Sequence, residues 1–139
     1  MSANLEKVES LLLRCGAPSD QVDDSTWVVQ LDNERRTRVI VKVVDPIVLF
    51  SMPLGRLDEL PAGSDRASLY RTLLELNSDL LHNAYRIEGD RVTLSGALQL
   101  ANLDPNEFQA VIDDLTMALD THLDKLSGWA QSLRTTNPP

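Results

Sequence analysis

The chain has little of the side-chain chemistry that catalysis, metal binding and disulfide formation require. Cys15 is its only cysteine, and its two histidines, His82 and His122, are far apart in the sequence. One cysteine cannot form an intramolecular disulfide, which fits a reducing compartment. Two histidines and one cysteine at this spacing match no zinc-ligand pattern, and the isolated glycines form no phosphate-binding loop. We therefore expect no enzyme activity, no metal and no cofactor.

Positive charge is also scarce. The 139 residues include 13 Lys and Arg against 21 Asp and Glu, a net charge of −8. Nucleic acids and anionic membrane surfaces are bound through clustered Lys and Arg, so neither partner is expected. The chain shows no secretory signal at its start and no apolar run of the roughly 20 residues that a membrane span needs. These absences predict a cytoplasmic protein whose partners are other proteins.

Three sets of residues are candidate sites by residue type, and each is interpreted as structural. Cys15 could be a reactive thiol, but a small apolar residue at the end of a helix is the better interpretation. His82 and His122 lack a neighbouring nucleophile, which favours structural roles. Asp113 and Asp114 are adjacent in a predicted helix, where neighbours do not face each other, so we expect a solvated face.

Hydrophobic periodicity predicts one domain over residues 1–139, with a frayed tail at 135–139. Helical spacing marks residues 4–15, 65–81 and a last helix that starts at Asp104-Pro105. Alternation marks strands at residues 27–31, 37–44 and 47–52, and a hairpin that pairs 84–87 with 92–95. Residues 19–25 and 53–64 are predicted loops. The order α-βββ-α-ββ-α with short connections predicts an α+β fold in which helices flank an antiparallel sheet.

The second predicted helix carries more apolar surface than one sheet face needs. One stripe contains Leu69, Leu73, Leu76 and Leu80, and the other contains Tyr70, Leu74 and Leu81. Either the last helix covers the second stripe within one chain, or a second copy does. We predict a homodimer through this helix and the third strand, which is apolar on both faces. The predicted interface residues are Ile47, Leu49, Tyr70, Leu73, Leu74 and Leu81.

The second strand is the candidate surface for another protein. Val39, Val41 and Val43 share one face, and Arg38, Ile40, Lys42 and Val44 share the other. Alternating basic and apolar residues on a sheet face and edge could seat an extended segment of a partner by strand addition. The alternative is that these four residues are simply the solvated side of the strand.

A resemblance extends over nearly the whole chain. Four segments resemble the bacterial YbjN family. They are Leu-Leu-Glu-Leu-Asn at 73–77, the hairpin 85–94, Leu103-Asp104-Pro105 with the helix after it, and Met-Pro-Leu-Gly-Arg-Leu at 52–57. The order of elements is also similar to that of type III secretion chaperones of the Tir-chaperone type. The resemblance implies a homodimer with the second helix near the two-fold axis. It also implies an exposed sheet or groove that holds an extended segment of a client, and no catalytic residues.

These observations leave three functions open. The first is a non-enzymatic, chaperone-like dimer that captures an extended client segment. The second is a YbjN-type regulatory or scaffolding protein that binds a folded signalling partner. The third is a small enzyme whose pocket forms only at a dimer interface, which the absence of a base and nucleophile pair disfavours.

Overall fold

The computed structural model describes residues 2–33, 36–122 and 124–126. These residues form three α-helices, six β-strands and one 3₁₀ turn. In chain order the elements are α1 (Ala3–Cys15), β1 (Ser19–Asp23), β2 (Thr26–Gln30), β3 (Arg38–Val44), β4 (Ile47–Arg56), the 3₁₀ turn (Leu57–Glu59), α2 (Arg66–Asn77), β5 (Ala84–Glu88), β6 (Arg91–Gln99) and α3 (Pro105–Thr121).

The strands form one antiparallel sheet in the order β1-β2-β3-β4-β6-β5. The first four strands are a meander, and the β5–β6 hairpin joins it through β6. This confirms the predicted α+β class and the antiparallel pairing. It also makes β3 and β4 central strands, with β1 and β5 at the edges.

Two predicted loops contain strand. Residues 19–25 were predicted as a loop, but β1 pairs with β2 from Ser19 to Asp23. Every residue of β1 is exposed, so the strand has no apolar alternation that its sequence could reveal. The third predicted strand ends at Met52, whereas β4 continues to Arg56 with a register shift between Pro53 and Gly55. Such a bulge bends a strand and places proline where the ladder is interrupted.

Two predicted helices are shorter than expected. The second was predicted to reach residue 81, but α2 ends at Asn77, and Leu81 lies in the connection to β5. The last helix was predicted to include Leu126, but α3 ends at Thr121 and Leu126 is buried in a following turn. The predicted continuation through Leu123, Trp129, Ala130 and Leu133 lies outside the described residues.

Helix starts follow the local sequence closely. The Asp65 side chain accepts a hydrogen bond from the backbone N–H of Ser68 at 3.0 Å, and Asp104 accepts one from Glu107 at 2.7 Å. These bonds satisfy backbone donors that the first turn of a helix leaves unpaired. Gly16 ends α1 in the left-handed region with φ 71°, as its position after Cys15 predicts.

The core lies on one face of the sheet, under α1 and α3. Val39, Val41 and Val43 of β3 are buried on this inner face, as predicted. Phe50 of β4 meets Phe108 of α3 edge to face, with ring centroids 5.2 Å apart. Burial of each apolar side chain of this kind contributes about 1.5–3 kcal/mol to the free energy of folding. The buried side chains therefore determine which face of the sheet the helices cover.

Gly96 allows the α2–β5 connection to lie directly on the sheet. It occupies an inner-face position of β6 opposite Phe50. A Cβ atom there would lie 2.5 Å from Asn83 Oδ1 and 2.6 Å from the His82 carbonyl oxygen. A glycine inside a strand is typical of a bulge or of a close approach by another backbone, and here the structure shows close contact with a loop.

We therefore expect Gly96→Ala to destabilise the fold by about 1–3 kcal/mol, because the added methyl group displaces backbone as well as a side chain. Urea unfolding measures the change. Gln99→Ala, at an exposed position of the same strand, is the control. A Gly96→Ala protein as stable as the native chain would contradict the close contact.

Candidate partner-binding surfaces

The outer face of the sheet carries a mixed apolar and basic surface. We define the outer patch as Arg38, Ile40, Lys42 and Val44 of β3 with Ile47 and Leu49 of β4. In the register of the sheet Lys42 lies opposite Leu49, and Val44 lies opposite Ile47. Ile40 is 37% exposed and Val44 is 44% exposed. The β3 residues alternate strictly with buried valines, so the four predicted partner-binding residues share the open face.

The predicted mode of binding at β3 is wrong in one respect. An extended segment can pair only with a strand that has a free edge. β3 pairs with β2 on one side and with β4 on the other, so its backbone is already used. The outer patch can therefore accept side chains of a partner on its face, but it cannot accept a new strand.

Of the two sheet edges, β5 is partly closed. The side chain of Asn77, the last residue of α2, accepts a hydrogen bond from the Tyr85 backbone N–H at 2.6 Å and donates one to its carbonyl at 3.3 Å. One amide thus occupies both backbone groups where a pairing strand would bind, a known way of protecting an edge. At the other edge, β1 is exposed along its whole length.

A second apolar surface lies on α2 and beside β5. We define the α2 patch as Tyr70, Leu74, Leu81 and Ile87. Leu74 is 71% exposed and Leu81 is 85% exposed, so α3 does not cover the second stripe of this helix. A hollow of about 210 Å³ lies among Tyr70, Leu74, Ile87 and neighbouring side chains. Unpartnered apolar side chains of this size are typical of an interface.

The predicted homodimer residues do not form one surface. Ile47 and Leu49 lie opposite Gln99 and Ala97 of β6, whereas β5 pairs with the other end of β6. Ile47 and Leu49 therefore belong to the outer patch, and Tyr70, Leu74 and Leu81 belong to the α2 patch. Leu73 is only 5% exposed, since it packs in the core of its own chain.

An ion pair flanks Leu74 on α2. Arg71 Nε lies 2.8 Å from Glu75 Oε1, one helical turn away, and both side chains are largely exposed. The hydrogen bond from Arg71 to Glu75 raises the pKa of Arg71 above its ordinary value. An exposed ion pair of this kind contributes little to the stability of the fold. Its position is of more interest, because it places one charge of each sign beside the α2 patch.

Asp114 of α3 holds the connection between α2 and β5. Its carboxylate accepts hydrogen bonds from the backbone N–H groups of Leu81, His82 and Asn83 at 3.0–3.3 Å, and one from the Asn83 side chain at 3.0 Å. The prediction of a solvated Asp113-Asp114 face is therefore wrong for Asp114, which is buried. Periodicity could not identify it, because its donors are backbone groups of a distant loop.

His122 makes a second link to the same region, and its two hydrogen bonds fit a structural role. Its Nδ1 lies 2.8 Å from the Tyr85 hydroxyl and its Nε2 lies 3.1 Å from Asp79 Oδ2. Because a carboxylate only accepts, Nε2–H donates to Asp79, and Nδ1 forms its hydrogen bond with the Tyr85 hydroxyl. Burial raises the pKa of Tyr85, and the negative charges of Asp79 and Asp114 raise it further.

The other candidate residues form no reactive site. Cys15 is half-buried, and its thiol donates to the Leu12 carbonyl. Within the described residues no group of three or more His, Cys, Asp and Glu side chains could hold a metal ion. Among the described helices none is long and apolar enough to cross a membrane.

Comparison with known proteins agrees with this geometry. The CesT_Tir_1 family model matches residues 1–132. The chain belongs to this type III secretion chaperone family. No curated protein matches it significantly. Membership of a chaperone family indicates a protein that binds other proteins.

Solved structures share the fold at low sequence identity. A chain of the ExsC-ExsE complex has a TM-score of 0.51 at 22% identity, with 96% of this chain and 97% of that chain covered. A chain of the heterodimeric ExoU-SpcU complex from the type III secretion system of Pseudomonas aeruginosa has a TM-score of 0.58 at 17% identity. The match covers 93% of this chain and 99% of that chain. YbjN, a putative transcription regulator from E. coli, has a TM-score of 0.55 at 12% identity, with 81% of this chain and 86% of that chain covered.

The Tyr85–His122 link makes a pH-dependent prediction. Tyr85→Phe removes the hydroxyl and leaves buried Nδ1 of His122 unpaired, so we expect a loss of about 1–3 kcal/mol near neutral pH. The pKa of Tyr85 is higher in the folded state than in the unfolded state, where it has the ordinary value of about 10. Its contribution to the stability of the fold is therefore complete below about pH 10 and is lost as the pH rises above that value. The stability gap between native and Tyr85→Phe proteins should therefore narrow above about pH 10.

Urea unfolding at several pH values measures this gap. Tyr70→Phe changes a half-buried tyrosine elsewhere and is the matched control. A gap that stays constant, or widens, in the alkaline range would show that the hydroxyl of Tyr85 is not held as described.

Proposed function

We propose that this chain is a non-enzymatic, homodimeric chaperone that captures an extended segment of a client protein on its outer patch. The observation that carries the proposal is an uncovered sheet face in a type III secretion chaperone family member. The complexes ExsC-ExsE and ExoU-SpcU, which share the fold, supply the precedent of a chain of this shape bound to another protein.

The chemistry of the outer patch suits an extended segment with alternating apolar and acidic side chains. Ile40, Val44 and Leu49 offer apolar contacts, and their neighbours Arg38 and Lys42 are positively charged and exposed. On a chain of net charge −8 these two cations are a local exception. They would steer an acidic segment toward this face, because complementary charge sets orientation and association rate.

Backbone pairing by the client, where it occurs, belongs at β1. This edge is exposed from Ser19 to Asp23, whereas Asn77 occupies the backbone of Tyr85 at the opposite edge. β1 is separated from β3 by β2 alone. A segment joined to β1 would therefore run about 10–15 Å from the β3 residues of the outer patch, given the spacing of strands in a sheet.

The regulatory alternative has weaker support. The likeness to YbjN is one of fold, at 12% identity. A folded partner could use the same outer patch. The chaperone and the regulator would then differ in what they bind there: an extended segment in the first case and a folded protein in the second. The family match favours the chaperone.

The double variant Ile40→Asp/Val44→Asp tests the outer patch. We expect it to fold, because Val39, Val41 and Val43 still pack on the inner face. We expect client affinity to fall at least tenfold, since two apolar contacts become buried negative charges beside an acidic segment. Proteins that co-purify with the native chain from its host, and are lost with the variant, give the candidate clients. Synthetic segments of those clients then give affinities by calorimetry.

Two controls accompany this experiment. Ile40→Val/Val44→Ile exchanges the two side chains and keeps the face apolar, so it should bind as the native chain does. Leu13→Asp places one negative charge on an exposed apolar residue of α1, away from the sheet face. A folded, dimeric Ile40→Asp/Val44→Asp protein with native affinity for a verified segment would refute the assignment of the outer patch.

The homodimer is proposed on the α2 patch. Leu74 is the test residue, because it is 71% exposed on a single chain, whereas Leu73 belongs to the core. Leu74→Arg should give a folded monomer at micromolar concentration, since a charge would be buried in the interface without a partner. Leu73→Arg should instead unfold the chain, so it cannot test assembly.

Light scattering coupled to size-exclusion chromatography measures the mass, and circular dichroism checks the fold. Leu13→Arg, at a similarly exposed leucine on α1, is the matched control and should remain dimeric. A monomeric native chain at this concentration would count against the homodimer.

A further inference from the structure

We propose that Arg71 and Glu75 set the register of the dimer by exchanging partners between two antiparallel α2 helices. Arg71 of one copy then faces Glu75 of the other, and the reverse contact forms at the same time. The inference rests on the proposed homodimer and names the contacts that make the α2 patch specific for a second copy of this chain.

The positions of the exposed residues on α2 support this arrangement. Residues that follow each other in an α-helix are separated by about 100° around its axis, which places Leu74 about 100–160° away from the buried Leu69, Leu73 and Leu76. Arg71 and Glu75 lie together on one side of Leu74, and Tyr70 lies on the other side. An open hollow of about 680 Å³ runs along this exposed face, lined by Ala67, Tyr70, Arg71, Leu74, Glu75 and Ser78.

Two-fold symmetry then fixes which residues meet. A two-fold axis that relates antiparallel helices brings the same side of each helix together with the direction reversed. Arg71 and Glu75 lie two residues before and after position 73, or about 3 Å along the axis in each direction. An axis near position 73 therefore pairs each Arg71 with the opposite Glu75, and brings the two Leu74 side chains together at the centre.

Charge complementarity selects this occupant and this direction. The surface beside Leu74 carries one cation and one anion, both largely exposed and 2.8 Å apart within one chain. A helix surface that carries a positive charge followed by a negative charge is complementary to a second copy of itself only when the second helix is antiparallel. In a parallel pair related by a two-fold axis, the Arg71 and Glu75 side of one helix would face the Tyr70 side of the other, and neither charge would gain a partner.

Two charge reversals test the proposal. Arg71→Glu gives two anions on each α2, and Glu75→Arg gives two cations. Each variant alone should dimerise at least about tenfold more weakly than the native chain, because both exchanged contacts become repulsive. An equimolar mixture should form a heterodimer with an affinity near the native value, since every contact is again attractive. Sedimentation gives the affinities, and native mass spectrometry identifies the heterodimer by mass.

Controls separate assembly from folding. Either reversal also removes the ion pair within one helix, so circular dichroism must show that both variants are folded. Arg14→Glu, at an exposed position of α1, changes the net charge as Arg71→Glu does and should dimerise as the native chain. The double variant Arg71→Glu/Glu75→Arg restores opposite charges and should form a homodimer.

The possible failures are distinguishable. A native chain that stays monomeric would refute the proposed homodimer and this register together. A dimeric native chain whose single reversals dimerise normally would refute the register and leave the homodimer standing. Weakened single variants that do not recover on mixing would show that Arg71 and Glu75 affect assembly without contacting each other across the two-fold axis.

Discussion

At β3 the sheet is covered on one face only, and the rest of the molecule depends on this asymmetry. The buried valines of β3 and the Phe50–Phe108 contact place α1 and α3 on the inner face. Helices on that side complete the core, and no described helix covers the outer patch. A central strand with apolar side chains on its open face is costly unless a partner uses it. This is the physical basis for assigning binding to the sheet face.

The α2 patch depends on polar interactions and not on the core alone. Asp114 fixes the backbone of residues 81–83, and His122 joins Asp79 to Tyr85. Both side chains belong to α3 or its end, so the last helix determines where the α2–β5 connection lies. The Asp114 carboxylate and the His122 ring favour one arrangement of this connection, because displacing it would leave their hydrogen-bonding groups unpaired. Leu81 is exposed within this fixed connection.

The two surfaces suit different tasks. The outer patch combines apolar side chains with two exposed cations on an acidic chain, which favours a partner of opposite charge. The surface around Leu74 carries one charge of each sign, which favours a second copy of itself. Ile47 and Leu49 of the outer patch pair with the end of β6 that β5 does not reach.

Local sequence patterns determined much of this structure. Alternation at residues 37–44 identified both faces of β3, and Asp65, Asp104 and Gly16 marked helix boundaries, because these signals involve neighbours in the chain. The exposed strand β1 carried no such signal, since pairing with β2 and not burial makes it a strand. Tertiary structure decided three other features. These are the place of β3 at the centre of the sheet, the role of Asp114, and the separation of Ile47 and Leu49 from Leu74. Each depends on contacts between residues distant in sequence, which periodicity does not encode.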